Sequence, residues 1–321
     1  MSEALFNALN HLAESKIYET VTELEIINHG CIMEQDLDEG QSSCQKIEEF
    51  IGRFCYLKKI NSFPTHGFNP FANINQIHLE ELVIQTPASN DELLIVSQFI
   101  NSCDVKSLTF IGIQSEDVQY PEMQCPKSLE SLTMKHLTTV DFGAFLSTLP
   151  QTIKYLKLND INLLEDGLRT VIDCVEIFEE LRVFHIENVE CSRQDLFIKL
   201  GMALSVNQKY SLTEFSLSCN QITPETLQAI CEYMSKMTIL DKLILLNLRA
   251  ISEYKLDDLV KAANKLVKIE KGGEEKHPGS TCCIEFSDYW LEFMIDTDKN
   301  EARDYLNENL NTRVFVKFIE D

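Results

Sequence analysis

The chain has 321 residues, and 44% of them are hydrophobic, which is enough to build a core and argues against a disordered chain. Its 51 aspartate and glutamate residues outnumber 28 lysine and arginine residues, so the formal net charge is −23. Because nucleic-acid binding depends on basic side chains that neutralise phosphates, this balance disfavours DNA and RNA as partners, and an anionic membrane would repel the chain as well.

Residues 1–20 carry apolar side chains at helical spacing, namely Leu5, Leu9 and Leu12, with Ala8 on the same side. This spacing predicts an amphipathic helix that caps the N-terminal end of the domain. The same stretch has no basic start and no apolar core of signal-peptide length, so we expect no secretory signal. The sequence also lacks a run of 18 apolar residues, so we expect no transmembrane helix.

From residue 21 onward, an apolar-x-x-apolar-x-apolar hexad recurs along the chain. The hexads start at residues 21, 57, 79, 105, 129, 153, 181, 212, 240 and 266, and the copies at 57 and 266 lack the last apolar position. From 57 to 266 the mean spacing is about 26 residues. Each hexad predicts a short strand with alternate residues buried, and such a strand needs neighbouring copies to complete its core.

Segments between the hexads carry apolar residues at helical spacing. They predict amphipathic helices of about three turns in Asp91–Cys103, Glu165–Cys174 and Thr223–Met237. In the last of these, Thr223 followed by Pro224 is typical of a helix start, because proline fits the first helical position. The chain therefore alternates predicted strands with predicted helices.

The clearest copy runs from Leu212 to Asn220 and reads Leu-Thr-Glu-Phe-Ser-Leu-Ser-Cys-Asn. With the other hexads it resembles the leucine-rich repeat, LxxLxLxxN/C, over roughly residues 20–270, and Asn159, Asn188 and Asn247 lie near the same polar position. Strands joined by true helices resemble the ribonuclease-inhibitor-like class, although spacings of 22 to 36 residues depart from the strict alternation of that inhibitor. The resemblance implies an α/β solenoid, a horseshoe with a parallel sheet on its concave face and helices on its convex face.

We divide the chain into an N-terminal capping helix at 1–20, an array of about ten repeats at 21–270 and a C-terminal α/β cap at 271–321. The last part begins with a polar, glycine-bearing loop at 271–280. A strand, two helices and a second strand are then predicted at Thr281–Phe286, Tyr289–Ile295, Glu301–Leu310 and Arg313–Phe318. The alternative is that residues 271–321 form a separate small module.

The sequence contains no glycine-rich phosphate loop, HExxH, GxSxG or kinase motif, and its seven histidines have no paired metal spacing. Its 11 cysteines are scattered without a CxxC pair, which is typical of reduced thiols in an intracellular protein. His277 lies near Cys282 and Cys283, but adjacent cysteines rarely bind one tetrahedral ion together. We therefore expect no catalytic residue, no metal and no cofactor.

In a curved solenoid, the residues between and beside the buried leucines line the concave face. Tyr155, with Lys157 and His185, is the favoured partner-binding group, because an aromatic side chain on a polar sheet is a candidate hot spot. Coverage by the C-terminal cap is the alternative for Ile244 and Leu246. The predicted binding set is Glu81, Val83, Thr109, Ile111, Thr133, Lys135, Tyr155, Lys157, Asn159, His185, Glu187, Ser216, Lys242, Ile244 and Leu246.

These features predict a non-enzymatic, cytoplasmic interaction module that binds a partner protein rather than nucleic acid or a membrane. Residues 1–50 carry 11 acidic and 2 basic side chains, so a partner with a basic surface is expected. Three alternatives stay open. They are a fragment of an immune receptor or ubiquitin-ligase subunit, a bacterial effector that acts on a host protein, and a GTPase activator that uses Arg169, Arg182 or Arg193.

Overall fold

The computed structural model describes residues 11, 20–26, 48–54, 56–62, 69, 71, 74, 78–85, 90–112, 123–137, 142–161, 163–189, 191, 193–207, 211–237, 240–246, 255–266, 282–287, 299–310 and 314–319. The predicted N-terminal capping helix falls almost wholly outside these residues, as do Asn247, the loop at 271–280 and the helix at Tyr289–Ile295. The chain forms two compact units, Met1–Pro150 (unit 1) and Gln151–Asp321 (unit 2).

Unit 1 contains a parallel sheet in which strands that are consecutive in the sequence are neighbours in space. Its strands are β1 (Glu23–Ile26), β2 (Lys59–Ser62), β3 (His78–Gln85), β4 (Asp104–Ile111) and β5 (Ser131–Leu137). Helix α1 (Asn90–Ser102) connects β3 to β4, and the short helix α2 (Phe142–Leu146) follows β5. The register aligns equivalent hexad positions, so that Leu82 lies beside Leu108 and Leu108 beside Leu132.

Unit 2 alternates strands and helices without exception among its described elements. They are β6 (Tyr155–Ile161), α3 (Leu164–Ile177), β7 (Val183–Glu187), α4 (Gln194–Asn207), β8 (Glu214–Ser216), α5 (Pro224–Met234), β9 (Lys242–Ile244), α6 (Leu256–Leu266), β10 (Cys282–Ser287), α7 (Lys299–Asn309) and β11 (Val314–Ile319). The strands form one parallel sheet in chain order. Each helix from α3 to α6 packs against the helix that follows it.

The hexad pattern explains both sheets, because its apolar positions form their cores. Leu82 and Ile84 in β3 have no exposed surface, and neither does Leu158 in β6. In unit 2 the rings of Phe184 and Phe215 stack with their centroids 5.7 Å apart, so equivalent positions of neighbouring strands contact each other directly. Each unit is therefore an α/β structure built by stacking strand repeats, as the pattern predicts.

Two helices of unit 2 show how the sequence sets the start and the packing of a helix. Helix α5 begins at Pro224, and the Thr223 hydroxyl accepts a hydrogen bond from the Thr226 amide at 3.3 Å, which satisfies one of the free donors of the first turn. Helix α4 lies close to α5 at Gly201, where a Cβ atom would be 3.4 Å from the Cα of Ile230. The small residue allows this close approach.

A left-handed residue recurs at one position of four successive repeats. His136, Asp160, Asn188 and Cys219 all have φ between 52° and 59°, and each is two residues beyond the last apolar position of its hexad. Such a conformation is unusual for residues other than glycine. Its recurrence shows that the backbone bends in the same way at this hexad position in each of these repeats.

Asn220 follows the last of these residues and is completely buried. Its amide nitrogen donates hydrogen bonds to the carbonyl oxygens of Ile186 and Leu217 at 2.6 and 2.8 Å, and its oxygen accepts one from the Val189 amide at 2.9 Å. Asn220 therefore joins two successive repeats through their backbones. Asn188 and Asn159 lie one and two positions earlier in their repeats and do not occupy this place.

The C-terminal part contributes to the sheet of unit 2. Strand β10 pairs with β9 and with β11, so residues 282–319 add two strands in the same parallel order. Of the weak hexad copy expected at residues 266–269, only Leu266 is among the described residues, and it is the last residue of α6. None of the described helices has both the length and the apolar character required to cross a bilayer.

Candidate functional site

We call the open face of each sheet the side formed by the strand residues that alternate with the buried hexad positions. In unit 2 the strand register arranges these residues in rows. One row contains Tyr155, Val183, Glu214, Lys242 and Cys283. The next row contains Lys157, His185, Ser216, Ile244, Glu285 and Lys317. The register therefore brings together residues that are up to 160 positions apart in the sequence.

The predicted residues of unit 1 lie on its open face and are partly exposed. Val83, Thr109 and Thr133 are aligned across β3, β4 and β5, and Ile111 is aligned with Lys135. Glu81 is within 3.6 Å of the Lys59 ammonium group. Beside these charges the face carries β-branched side chains such as Val83, Thr109 and Thr133, which suit a sheet but do not single out one binding group.

Tyr155 is an exposed aromatic residue of the open face of unit 2, with 38% of its surface accessible. Lys157 lies two residues later on the same strand and is aligned with His185 of β7, and both Lys157 and Asn159 are partly exposed. The Asn159 side-chain oxygen is buried and accepts no hydrogen bond from any described residue. The structure thus places the favoured residues side by side at the β6 edge of the described rows.

A chain of side-chain contacts between polar and charged residues continues from His185 across the open face to β11. We call these five residues, His185, Glu214, Lys242, Glu285 and Lys317, the polar strip. His185 Nε2 lies 2.6 Å from Glu214 Oε1, and Lys242 Nζ lies 3.7 Å from Glu214 Oε2. Lys242 Nζ is also 2.8 Å from Glu285 Oε2, and Lys317 Nζ is 3.3 Å from Glu285 Oε1. Each of the five strands from β7 to β11 therefore supplies one member of a connected network.

Glu285 is the most buried carboxylate of the polar strip, with 6% of its surface exposed. Burial alone would raise the pKa of Glu285, but the hydrogen bonds and charges of Lys242 and Lys317 outweigh it, so its pKa lies below the usual value. Burial likewise opposes the charge of Lys242, and its two carboxylate neighbours nevertheless raise the pKa of Lys242. Both groups are therefore ionised at neutral pH.

His185 is 9% exposed and forms the β7 end of the polar strip. Burial lowers the pKa of His185, and the opposing effects of Glu214 and Glu187 do not cancel this. Because a carboxylate oxygen can only accept, His185 Nε2 carries a proton and donates the 2.6 Å hydrogen bond to Glu214 Oε1. The Nδ1 atom is 3.6 Å from Glu187 Oε1, which is too far for a hydrogen bond.

Some predicted contact residues are buried and support the face instead. Ser216 has no exposed surface, and its hydroxyl donates to Glu187 and lies 3.1 Å from the Ser218 hydroxyl. Ile244 is only 7% exposed, between Ser216 and Glu285 in its row. Leu246 is partly exposed, and its amide donates to the Ser218 hydroxyl at 3.0 Å. Ser216 and Ile244 are therefore not available to a partner in this arrangement.

Sequence reasoning omitted Glu285 and Lys317 from the binding set because residues 271–321 were treated as a cap. The alternation itself was the available signal. Glu285 lies between Ile284 and Phe286 just as Ile244 lies between Leu243 and Leu245. Applying the same inward and outward count to β10 and β11 would have placed both charges on the open face.

Two cysteines of the described part of the chain, Cys103 and Cys174, are buried. Burial, with a smaller effect of Asp104, raises the pKa of the Cys103 thiol to about 12. Burial and Asp173 raise the pKa of the Cys174 thiol to about 11. Both thiols are protonated at neutral pH and are poor nucleophiles. Among these described residues, no group of three or more histidine, cysteine, aspartate or glutamate side chains is arranged to hold a metal ion.

No protein-family model matches this chain, and no curated protein is similar to it in sequence.

Proposed function

We propose that this chain is a leucine-rich-repeat protein of the helix-containing class and that the open face of unit 2 binds a partner protein. Three features support the repeat assignment: the hexad of constant phase, the helix after each described strand from β6 to β10, and the left-handed residue at one repeat position. In a horseshoe of this class the open face would be the concave face.

The binding proposal rests on Tyr155. An aromatic side chain that is 38% exposed contributes large contact area with little loss of conformational freedom, and tyrosine is frequent among residues that dominate binding energy. Lys157 beside it would provide a charged contact at the edge of the same patch. Tyr155 and Lys157 are therefore the proposed contact pair.

The polar strip supports the proposal because it holds the neighbouring face in one arrangement. Buried His185 is hydrogen-bonded to Glu214, and buried Glu285 is ion-paired with Lys242 and Lys317, so the two residues keep Glu214 and Lys242 in place before a partner arrives. A preformed surface binds at a lower entropic cost than one that must be ordered. With a net charge of −23, the chain would attract a partner with a basic surface over long range.

The experiment is site-specific photo-crosslinking in cells, with a photoreactive phenylalanine derivative at position 155 and, as the control, at Leu94 of α1. Leu94 is 47% exposed and lies in unit 1. We expect one protein to be crosslinked from position 155 and not from position 94. Identical products from both positions would contradict the proposal.

A charge-reversal substitution at Lys157 then tests the proposed contact pair of Tyr155 and Lys157. We expect Lys157→Glu to weaken crosslinking at position 155 by about tenfold, which corresponds to about 1.4 kcal/mol. The matched control is Lys135→Glu on the open face of unit 1, where the lysine is also partly exposed. An equal loss in both variants would indicate a general charge effect instead of a contact at Lys157.

A further inference from the structure

A cleft of about 580 Å³ lies between α3 and α4, on helices and not on the open face of the sheet. Its floor includes Ile172 and Leu196, which are 7% and 0% exposed. A cleft of this size falls within the range that accommodates small ligands or several side chains of a partner. It is formed within unit 2 by two consecutive helices.

The α4 wall of the cleft is apolar and unusually exposed. Met202 and Val206 line the cleft and have 51% and 64% of their surfaces accessible. They are four residues apart, so they form one stripe along the helix, separated by a rise of about 6 Å. Methionine is adaptable in shape and is frequent on surfaces that bind helical segments. This wall suits a partner with apolar side chains at the same spacing.

The α3 wall is acidic toward its C-terminal end. Asp173 and Glu176 line the cleft one turn apart, and within the described part of the chain neither forms an ion pair. Arg169 lies one turn before Asp173, and Lys199 on the opposite wall is already 3.6 Å from Asp195. The unsatisfied charge of the cleft is therefore negative near Asp173 and Glu176 and positive only at Arg169.

We infer that the α3–α4 cleft binds a basic amphipathic helix of another protein. Apolar side chains of that helix at positions i and i+4 would contact Met202 and Val206, and lysine or arginine on the neighbouring stripe would face Asp173 and Glu176. One acidic residue at the other end of the helix would face Arg169. A second copy of this chain fits less well, because two molecules of charge −23 repel each other.

The test is selection from a library of helical peptides in which an apolar pair at i and i+4 is fixed and the other exposed positions are random. The purified full chain is the bait, and binders that also bind a Met202→Asp/Val206→Asp variant are removed. Both substitutions are at exposed positions, so the variant should fold, which circular dichroism checks. We expect the remaining peptides to be enriched in lysine and arginine, and to lose about tenfold in affinity for the variant.

A second bait reverses the charge of the α3 wall through Asp173→Lys and Glu176→Lys. We expect the selected peptides to change from basic to acidic at the same positions. The inference is overturned if enrichment is the same for both baits, or if no selected peptide depends on Met202 and Val206. Self-association of the unmodified chain that Met202→Asp abolishes, measured by sedimentation velocity, would identify a second copy as the occupant and overturn it too.

The outcome of the peptide selection does not depend on whether the open face of unit 2 binds a partner protein. Crosslinking from position 155 probes the open face, whereas the peptides are selected for dependence on α4. A Lys157→Glu chain should bind the selected peptides as well as the unmodified chain does. Loss of peptide binding in that variant would place the peptides on the open face and contradict the cleft.

Discussion

The open faces of the two units treat their charges differently. In unit 1, Lys59 lies between Glu23 and Glu81 at 3.4 and 3.6 Å, and all three side chains are between 41% and 67% exposed. In unit 2, Glu285 is 8% exposed at its side chain and is contacted by two lysines, one of them at 2.8 Å. Similar repeats therefore carry an exposed ion-pair cluster in one unit and a partly buried network in the other.

The exposed charges of unit 1 keep the surface soluble, whereas the buried charges of unit 2 hold the surface in one arrangement. Exposed ion pairs contribute between 0 and about 1 kcal/mol, because water and salt screen them and the side chains lose freedom. A buried carboxylate with two cationic neighbours is instead restricted to one geometry, because leaving either side unpaired is costly. The charges of unit 2 are therefore the better candidates for a surface that recognises one partner.

The largest expected effect is a loss of stability in unit 1 caused by a substitution at Gly112. A Cβ atom at Gly112 would lie 2.2 Å from Leu137 Cδ2 and 2.4 Å from the His136 carbonyl oxygen. The His136 carbonyl oxygen cannot move aside easily, because the carbonyl oxygen of the preceding residue, Lys135, accepts a hydrogen bond from the Gly112 amide at 2.8 Å. We expect Gly112→Ala to lower the free energy of unfolding by about 3 kcal/mol, measured by urea denaturation.

The matched variant in unit 2 is Gly201→Ala. There the new methyl group would be 3.4 Å from Ile230, an ordinary contact, and alanine favours a helix by about 1 kcal/mol over glycine. We expect stability equal to or above that of the unmodified chain. Hydrogen exchange should show that Gly112→Ala weakens unit 1 first. Equal destabilisation by both variants would show that the two glycines do not differ in this way.

The sequence allowed the strands to be located because burial of alternate residues leaves a period of two, as in Leu156 and Leu158. At Leu266, the last residue of α6, the same pattern is ambiguous. Leu266 and Ile269 are three residues apart, a spacing that a helix also uses, and the third apolar position that would identify a strand is missing.

The candidate site was harder to predict than the strands. Tyr155 and Lys157 follow from counting along one strand, whereas the polar strip depends on which strand neighbours which. Glu214 and Glu285 are 71 residues apart, and only the order of β8, β9 and β10 brings both to Lys242. The cleft between α3 and α4 depends on how two helices pack, which no single segment encodes.

An intermediate effect tests the connection between repeats in unit 2. Replacing Asn220 by alanine removes three hydrogen bonds to backbone groups and leaves the Val189 amide buried without its acceptor. We expect a loss of about 2 kcal/mol and faster hydrogen exchange at Val189. Asn307→Ala is the control, because Asn307 is exposed on α7, and its effect should stay within about 0.5 kcal/mol. If both variants unfold alike, Asn220 does not hold the repeats together.

The smallest effect is electrostatic and depends on pH. Glu285→Gln should lower the stability of unit 2 by about 1 kcal/mol at pH 7, a value reduced by the 31% and 63% exposure of its lysine partners. Because the pKa of Glu285 is lowered on folding, its contribution is complete above the ordinary value of 4.5 and is lost as the pH falls through the folded pKa. Urea midpoints of the two proteins should therefore converge below about pH 4.5. Glu81→Gln, which alters the exposed pair of unit 1, should leave the urea midpoint nearly unchanged at pH 7. A difference between the unmodified chain and Glu285→Gln that persists to pH 3 would mean that the amide disturbs packing and that the charge of Glu285 is not what orders the strip.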